Sequence, residues 1–558
     1  MKKKFTTIFL SLAVFITAAL FINARDDYFE ISKNLDIFAS LYREINTNYV
    51  DQTKPGELMN AGIEAMLESL DPYTNFIPES KIEDYRFMTT GQYGGIGAII
   101  QKRKDKIIVA EIYDGFPADK GGLYIGDEIL EIDGLSTEGK NTSEISEVLK
   151  GQPETMVDIK VRRGAIEDGE VLLKKIHRAE IKIHDVPYYS MISDKVGYIR
   201  LTGFTPTAST EFLAAMKELK EEKGMESLIV DLRGNGGGLL RESVSIVNFF
   251  VNKGTPVVST RGKLKEWEQH YKAERNPYDS EIPLAILVDE FSASASEIVA
   301  GSIQDLDRGV IIGKETFGKG LVQQTVDLSY NSKLKVTVAK YYTPSGRCIQ
   351  KLNYSDRNET GKAQEIPDSL IGEFKSLNNG RPLFDGNGIK PDLIISEDDY
   401  SSISIELLQE YYIFDYATKY RLSNEKIAEP GEFEITDAEM ENFKKYLNEQ
   451  EFNHSTDADV LMEQLKKTSQ DEDYYALIES DYQGLENKLN EVKNKDFEKH
   501  KKEISNLLSS ELVMRYHHQK GRLEYGLAHD AYVNVALDIL GEKATYDSIL
   551  KGTYSSED

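Results

Sequence analysis

The sequence predicts a multidomain α/β protein: a compact α+β module ahead of an α/β core, with helical segments at both ends. Three observations carry this. The chain has 558 residues, room for three or four domains at roughly 100–200 residues each. The apolar runs Leu228–Leu232, Leu284–Val288 and Val310–Ile312 have strand length and alternate with helical stretches, the pattern of a sheet covered on both faces. Helical spacing dominates before about residue 88 and again from about 401.

In chain order, Lys2, Lys3 and Lys4 precede the uncharged run Phe5–Ile22, a positive n-region followed by an apolar h-region, so the chain reads as exported to the periplasm or the outer face of the inner membrane. Residues 1–24 are either a signal peptide cut after Ala24, with Ile22 a poor fit two places earlier, or an uncleaved anchor. Residues 25–88 form a helical segment: Leu35, Phe38, Leu41, Tyr42 and Ile45 recur at helical spacing, as do Leu58, Ile63, Met66, Leu67 and Leu70. Asp71-Pro72 ends its second helix, because the residue before proline disfavours the α region. Residues 89–180 begin with clustered Gly91, Gly94, Gly95 and Gly97, followed by short strands at Ile107–Ile112, Glu128–Ile132 and Val157–Arg162. A short helix between Pro117-Ala118 and Gly121-Gly122 and a second at Ser143–Lys150 complete an α+β module. Residues 181–400 are the α/β core. Leu228–Leu232 breaks at Gly234-Asn235-Gly236-Gly237-Gly238 before a helix over Leu239–Val251. Leu284–Val288 leads through Ser292–Ser296 into a helix reaching about Leu306; Val310–Ile312 and Val336–Tyr342 are further strands. Residues 401–558 are acidic and helical, with Leu485, Leu489 and Val492, then Ile504, Leu507, Leu508 and Leu512, at helical spacing. They show no site chemistry and read as an accessory domain, the candidate surface for an adaptor or a second copy.

Composition narrows the function. Hydrophobic residues are 40% and charged residues 29%, a globular balance. Lys plus Arg is 67 against 94 Asp plus Glu, a net charge of −27, which argues against a general nucleic-acid binder. Cys348 is the only cysteine, so neither an intrachain disulfide nor a cysteine-based zinc site can form.

Two nucleotide signals fail. Gly313 to Lys319 matches a phosphate loop, but Gly320 stands where Ser or Thr must hold magnesium. Leu239 takes the third glycine position of a dinucleotide fingerprint after Gly234. There is no G-x-S-x-G elbow and no H-E-x-x-H, and the eight histidines do not cluster with acids or glycines in strand-to-helix turns; His517-His518 reads as a solvated face. What remains is Ser292-Ala293-Ser294-Ala295-Ser296-Glu297 at a strand-to-helix junction. Small neighbours leave a hydroxyl accessible, and the free N–H groups of a helix start suit an oxyanion. A serine there is equally an ordinary helix cap. Lys319 shifts the balance: a serine without histidine needs another base, and a lysine serves when burial lowers its pKa. Phe317, Leu321 and Val322 supply apolar surroundings, against the simpler reading of a surface lysine in a glycine turn.

Together these segments resemble the C-terminal processing peptidases, also called tail-specific proteases: exported serine endopeptidases with a PDZ domain and a Ser–Lys centre. The likeness spans about residues 35–395 and holds in order. It runs from Leu70-Asp71-Pro72-Tyr73-Thr74 and Gly94-Gly95-Ile96-Gly97 to Phe116-Pro117-Ala118 and Gly126-Asp127-Glu128-Ile129. Then come Asp231-Leu232-Arg233-Gly234 and the glycine turn, Ser292–Glu297, Phe317-Gly318-Lys319-Gly320 with Gln323, Tyr342-Thr343-Pro344-Ser345-Gly346, and Gly388-Ile389-Lys390-Pro391-Asp392. Tyr73 and Cys348 depart from the common His and Ser.

The resemblance implies an α/β serine protease core with an inserted PDZ domain, cutting proteins near their C-terminus without metal or cofactor. It implies Ser294 as nucleophile, Lys319 as base, Gln323 orienting the lysine and Asp305 as a further residue of the set. It also implies the amides of Ala295 and Gly237, or a neighbouring glycine, at the oxyanion. An unbroken helix puts Asp305 roughly 16 Å from Ser294, so its part is supporting. The loop Tyr93-Gly94-Gly95-Ile96 is the expected site for the carboxylate of a substrate tail, which would add as a strand. The rival reading is an inactive PDZ scaffold, against which Ser294, Lys319 and Gln323 stand together.

Overall fold

The structure, a computed structural model, describes residues 28–164, 169–358, 360–395, 400–493 and 495–554. The apolar run at residues 5–22 lies outside them; among the described residues no helix is long and apolar enough to cross a membrane. The chain divides into two units, one gathering residues up to Phe76 with Thr325–Val336, the other Ile77–Gln324 with Thr337–Asp558.

In the first unit, helix 28–48 and helix Pro55–Glu68 form a pair. Proline at the start of the second has its φ preset for a helix. Tyr42 donates its hydroxyl to Pro55 O at 2.8 Å, and Thr53 Oγ1 donates to Asn46 Oδ1 at 2.7 Å. Asp71 stops the chain's helical course by accepting the N–H groups of Tyr73 and Thr74 at 2.9 and 2.8 Å. The periodic apolar residues do not form a core here: Leu35, Phe38, Leu41 and Met66 are exposed.

In the second unit, the α+β module is an antiparallel sheet in the order Ala98–Arg103, Lys106–Ile112, Glu128–Ile132, Met156–Arg163, Glu170–His177. Ile107, Val109, Ile129, Val157, Ile159 and Val161 alternate into its core, which helix Thr142–Leu149 closes with Ile145 and Leu149. Asn141 and Glu144 cap that helix reciprocally, each side chain on the other's backbone N–H. Ala98–Arg103 is an edge strand.

The core sheet runs Tyr188–Met191, Val196–Arg200, Ser227–Asp231, Leu284–Val288, Val310–Gly313, Leu393–Ile394, parallel after the first antiparallel pair. Its strands split their side chains by parity. Leu228, Val230, Leu284, Ile286, Val288 and Ile311 face one core with helices Ala208–Lys217, Leu240–Val247 and Ala295–Asp305. Ile229, Ala285, Leu287, Val310 and Ile312 face a second core built with Tyr532, Val533, Ala536, Ile539, Tyr546 and Ile549. Those residues belong to helices Ala531–Gly541 and Lys543–Leu550. The accessory domain expected over 401–558 therefore does not stand apart from the core: its last two helices are the layer over the second sheet face. Burying Leu287 and Ile312 requires that cover, since parallel sheets are buried on both sides.

The rest of the C-terminal region packs about Leu407, Phe443, Ile504 and Leu512. It also meets the α+β module: Arg103 forms a bidentate pair with Asp415 at 2.6 and 2.8 Å, and Met514 is buried in the module's core. His517-His518 is not a plain solvated face. Helix Lys501–Leu527 kinks at His518, whose imidazole lies 3.6 Å from Asp119.

Candidate active site

Three neighbouring parallel strands end at one place, where open α/β sheets place their ligands. Ser227–Asp231 runs into the glycine turn 234–238, Leu284–Val288 into the loop to Ser294, and Val310–Gly313 into the segment carrying Lys319.

Ser294 begins helix Ala295–Asp305 with φ 57° and ψ −109°, a conformation non-glycine residues avoid. Its N–H donates to Glu297 Oε2 at 2.7 Å, and its carbonyl accepts from Ile298 N at 2.9 Å and from the Tyr341 hydroxyl at 3.1 Å. Ser294 is half-buried, whereas Ser292 and Ser296 are fully buried and bonded: Ser292 Oγ to Leu232 O at 2.9 Å, Ser296 Oγ to Asn235 O at 2.8 Å. Only the middle serine of the three is partly open to solvent.

Glu297, buried completely, joins the two halves of the site. Besides Ser294 N it accepts Lys319 N at 2.9 Å on Oε2, and Gly318 N at 2.8 Å and Thr316 Oγ1 at 2.6 Å on Oε1. Burial pushes its carboxyl above the ordinary value, against hydrogen bonds that favour the charge. The serine and lysine segments are thus clamped by one carboxylate. Lys319 is half-buried; Gln323, two residues past Leu321, donates Nε2 to Thr337 Oγ1 at 3.2 Å.

The glycine turn lies against Ser294. A Cβ on Gly237, whose φ is +97°, would stand 2.8 Å from Ser294 Cβ and 2.9 Å from Ala295 N. Ala295 opens the helix, so its N–H has no partner within it. The expected second donor, the Gly237 N–H, is bonded to Asn235 Oδ1 at 2.9 Å in this structure. The Asn235 backbone carbonyl in turn accepts Ala293 N at 3.0 Å beside the Ser296 hydroxyl.

Asp305 sits at the far end of the helix. It accepts Arg347 Nε at 3.0 Å and Ser345 N at 2.8 Å, both groups of the loop after Tyr342. It anchors that loop and does not reach Ser294. Asp392 likewise accepts Ile311 N at 2.8 Å and pairs with Arg381, so the Lys390-Pro391-Asp392 motif is a clamp on the sheet.

Tyr93-Gly94-Gly95 is not an open loop. Gln92–Gly95 is a strand paired with Ala179–Lys182, with Gly94 O accepting Gly151 N at 3.0 Å. A Cβ at Gly94 would stand 2.0 Å from Gly151 O, so glycine is needed for this approach rather than for a loop. Ile96 is buried in the module's core and its carbonyl accepts Ala118 N at 2.7 Å. The edge strand Ala98–Arg103, beside helix Thr142–Leu149, follows directly.

Asp114, Asp119 and His518 have ligand atoms within 4.8 Å of one another, but the group includes no residue of the Ser294 or Lys319 segments. Sequence reasoning missed Glu297, Thr316, Asn235 and Tyr341. Glu297 alone left a signal there, as an acid three positions after the serine.

Comparison with known proteins agrees with this architecture. Residues 195–355 match the model of peptidase family S41, residues 108–163 a PDZ domain, and residues 403–540 the C-terminal helical domain of a family described as "Probable PDZ-protease". A carboxy-terminal-processing protease of Bartonella bacilliformis is 35% identical over 350 residues, 62% of this chain and 80% of that one. A "Probable CtpA-like serine protease" of Staphylococcus aureus (strain bovine RF122 / ET3-1) is 31% identical over 404 residues, 72% and 73% of the two chains. Among solved structures, a photosystem II D1 C-terminal processing protease is 27% identical, with a TM-score of 0.36, covering 64% of this chain and 86% of that one. Fold and sequence define a serine-type peptidase with a PDZ domain and a C-terminal helical domain. The chain belongs to peptidase family S41, with the carboxy-terminal-processing proteases.

Proposed function

We propose that this protein is an exported endopeptidase that cuts envelope proteins near their C-terminus with Ser294 as nucleophile and Lys319 as base. The observation that carries the reading is the shared Glu297 carboxylate, which holds the backbone N–H groups of Ser294 and Lys319 at 2.7 and 2.9 Å. In the reaction, the neutral Lys319 amine takes the Ser294 proton as Oγ attacks the peptide carbonyl. The Ala295 N–H and an amide of the glycine turn hold the oxyanion, either Gly237 released from Asn235 or its neighbour Gly238. The lysine then gives its proton to the leaving amine, and water, activated by the same amine, frees Ser294 from the acyl group. Gln323 supports the lysine from the adjoining strand, and Asp305 acts only through the loop it anchors.

The PDZ domain takes the substrate's free tail as an added strand on the edge of Ala98–Arg103, with its carboxylate at the backbone near Ile96. The basic, then apolar, N-terminus delivers the chain to the periplasm or the outer face of the inner membrane, as a cleaved signal or as an anchor at residues 5–22. Mass spectrometry of envelope proteins from cells carrying the wild type or Ser294→Ala tests this. Trimmed C-termini should vanish with the variant, and purified enzyme should cut free-acid peptides faster than amidated ones. Unchanged trimming by Ser294→Ala would refute the assignment.

A further inference from the structure

The C-terminal helical layer reaches the active site through one charged residue. Asp530 caps helix Ala531–Gly541, its Oδ1 accepting Tyr532 N at 2.9 Å and Val533 N at 3.2 Å. The same carboxylate is bidentate to Arg233, with Nη1 to Oδ1 at 3.1 Å and Nη2 to Oδ2 at 2.6 Å, while the guanidinium lies over the Tyr532 ring. Arg233 also grips Asp231, through Nε to Oδ1 at 3.0 Å and Nη2 to Oδ2 at 2.6 Å. Arg200 completes the cluster, bonding Asp231 and donating Nη2 to the Arg233 carbonyl at 2.7 Å. Two guanidinium and two carboxylate charges balance in a nearly dry place: Asp231 is fully buried, and the Arg233 and Asp530 side chains are 16% and 18% exposed.

Arg233 is not a remote anchor. The next residue, Gly234, donates its N–H to Asp289 at 2.9 Å, at the root of the serine loop. The one after, Asn235, accepts Ala293 N and Ser296 Oγ, on either side of Ser294, and holds Gly237 N–H. The path from Asp530 to the serine's neighbours runs through the Arg233 side chain, along the backbone from Arg233 to Asn235, and on through the hydrogen bonds of Gly234 and Asn235. Remove the Asp530 charge and Arg200 and Arg233 share the one remaining carboxylate, Asp231, so that the Arg233 fork is held on one side only.

Resting on the Ser294 reading above, we propose that Asp530 is a positioning residue: through Arg233 it fixes the glycine turn against Ser294, and so makes the last helices part of the catalytic apparatus. This is a role in the rate of the chemical step, not in substrate binding. Asparagine is as good a helix cap as aspartate. Asp530→Asn therefore keeps helix Ala531–Gly541 and removes only the charge that holds Arg233. Tyr546→Phe is the control. It weakens the same layer by deleting the hydroxyl that meets the Leu284 backbone at 3.0 Å, and it touches nothing in the cluster.

The experiment is steady-state cleavage of a free-acid peptide by the full chain, with thermal melts of each variant. For Asp530→Asn, kcat should fall about ten- to a hundredfold, the scale of a small misplacement of reacting groups, with KM within about twofold. Tyr546→Phe should lower the melting temperature and leave kcat at the wild-type value. Wild-type kcat in Asp530→Asn, or a kcat loss in Tyr546→Phe of the same size, would overturn the proposal while an inactive Ser294→Ala leaves the active-site reading intact. Full activity in Ser294→Ala would overturn that reading and this proposal with it.

Discussion

Glu297→Gln is the sharpest single test of how the site is held. The two oxygens of Glu297 each accept two hydrogens: Ser294 N and Lys319 N on Oε2, Thr316 Oγ1 and Gly318 N on Oε1. An amide can offer its oxygen to one pair only. Its NH2 must then face either two backbone N–H groups or Gly318 N with Thr316. Thr316 Oγ1 already accepts Ile389 N at 2.7 Å, which limits its freedom to reverse. The less costly orientation therefore points NH2 at Gly318 and Thr316 and leaves one or two buried donors without an acceptor. At about 1–3 kcal/mol for each, the loss is roughly 1–6 kcal/mol, and the stronger figures apply because the lost acceptor is charged. Chemical denaturation should show this loss. Cleavage by the remaining folded enzyme should fall as well, since the same carboxylate sets the spacing of Ser294 and Lys319. Glu297→Asp, one methylene shorter, should be worse than glutamine, because it cannot span both segments. A glutamine variant with wild-type stability and wild-type kcat would refute the clamp.

Other predictions follow from the same geometry. Lys319→Arg should be as inactive as Lys319→Ala in peptide cleavage, because a guanidinium stays protonated and cannot accept the serine proton; an active arginine variant would remove lysine as the base. Asp305→Asn breaks a buried pair with Arg347 and should cost about 3–5 kcal/mol in a denaturation curve. An unchanged curve with lost activity would show that Asp305 acts in the chemistry instead. For Asp231, burial raises the carboxyl, but Arg233, Arg200 and their hydrogen bonds outweigh it and hold it at about 2, below its ordinary 3.8. The lowered value means stability that is present above about pH 4 and lost as the pH falls towards 2, in all about 2 kcal/mol with near half gone by pH 3. Unfolding free energies between pH 4.5 and 3 should fall more steeply in the wild type than in Asp231→Asn, by that difference.

Much of this was legible because the signals were local. Leu284–Val288 is apolar at every position, and that run is what two covered faces require. Lys319 and Ser294 stood out as residue types, each beside a plainer reading, a surface lysine and a helix cap. What sequence could not supply was the origin of the second cover, since Ala531–Gly541 lies more than two hundred residues from the strand it packs on. The region from 401 showed no site chemistry because Asp530 looks like any helix cap; only the fold brings Arg233 to it. The glycines misled in a different way. Gly94 suggests an open loop, yet it is a strand residue kept small by the Gly151 carbonyl. The helical stripe of Leu35, Phe38 and Leu41 has the right period for burial, but period alone does not say that a chain buries it against itself.

The backbone of Ser294 bears on the two readings its sequence left open: the residue stands at the N-cap position and donates to Glu297, but in an unusual conformation. Serine at a helix start is either a cap or a nucleophile, and the two make different demands. A cap needs only the extended region: Asn141 has φ −98° and ψ 168°, Thr436 −77° and 158°, Thr456 −112° and 163°. Ser294, at φ 57° and ψ −109°, departs from all three. Capping gives no reason for a conformation that costs of order 1–3 kcal/mol. The strain persists because the loop is tied on every side. Glu297 takes its N–H, Tyr341 and Ile298 take its carbonyl, and Asn235 takes Ala293 and Ser296. Five hydrogen bonds at about 0.5–1.5 kcal/mol net are enough to offset it. In α/β hydrolases a sharp turn from strand to helix likewise exposes a serine hydroxyl on a strained elbow. Here the G-x-S-x-G signature is absent, and the strained turn is built with alanines on both sides of the serine, a glycine turn pressed against it, and a buried glutamate beneath.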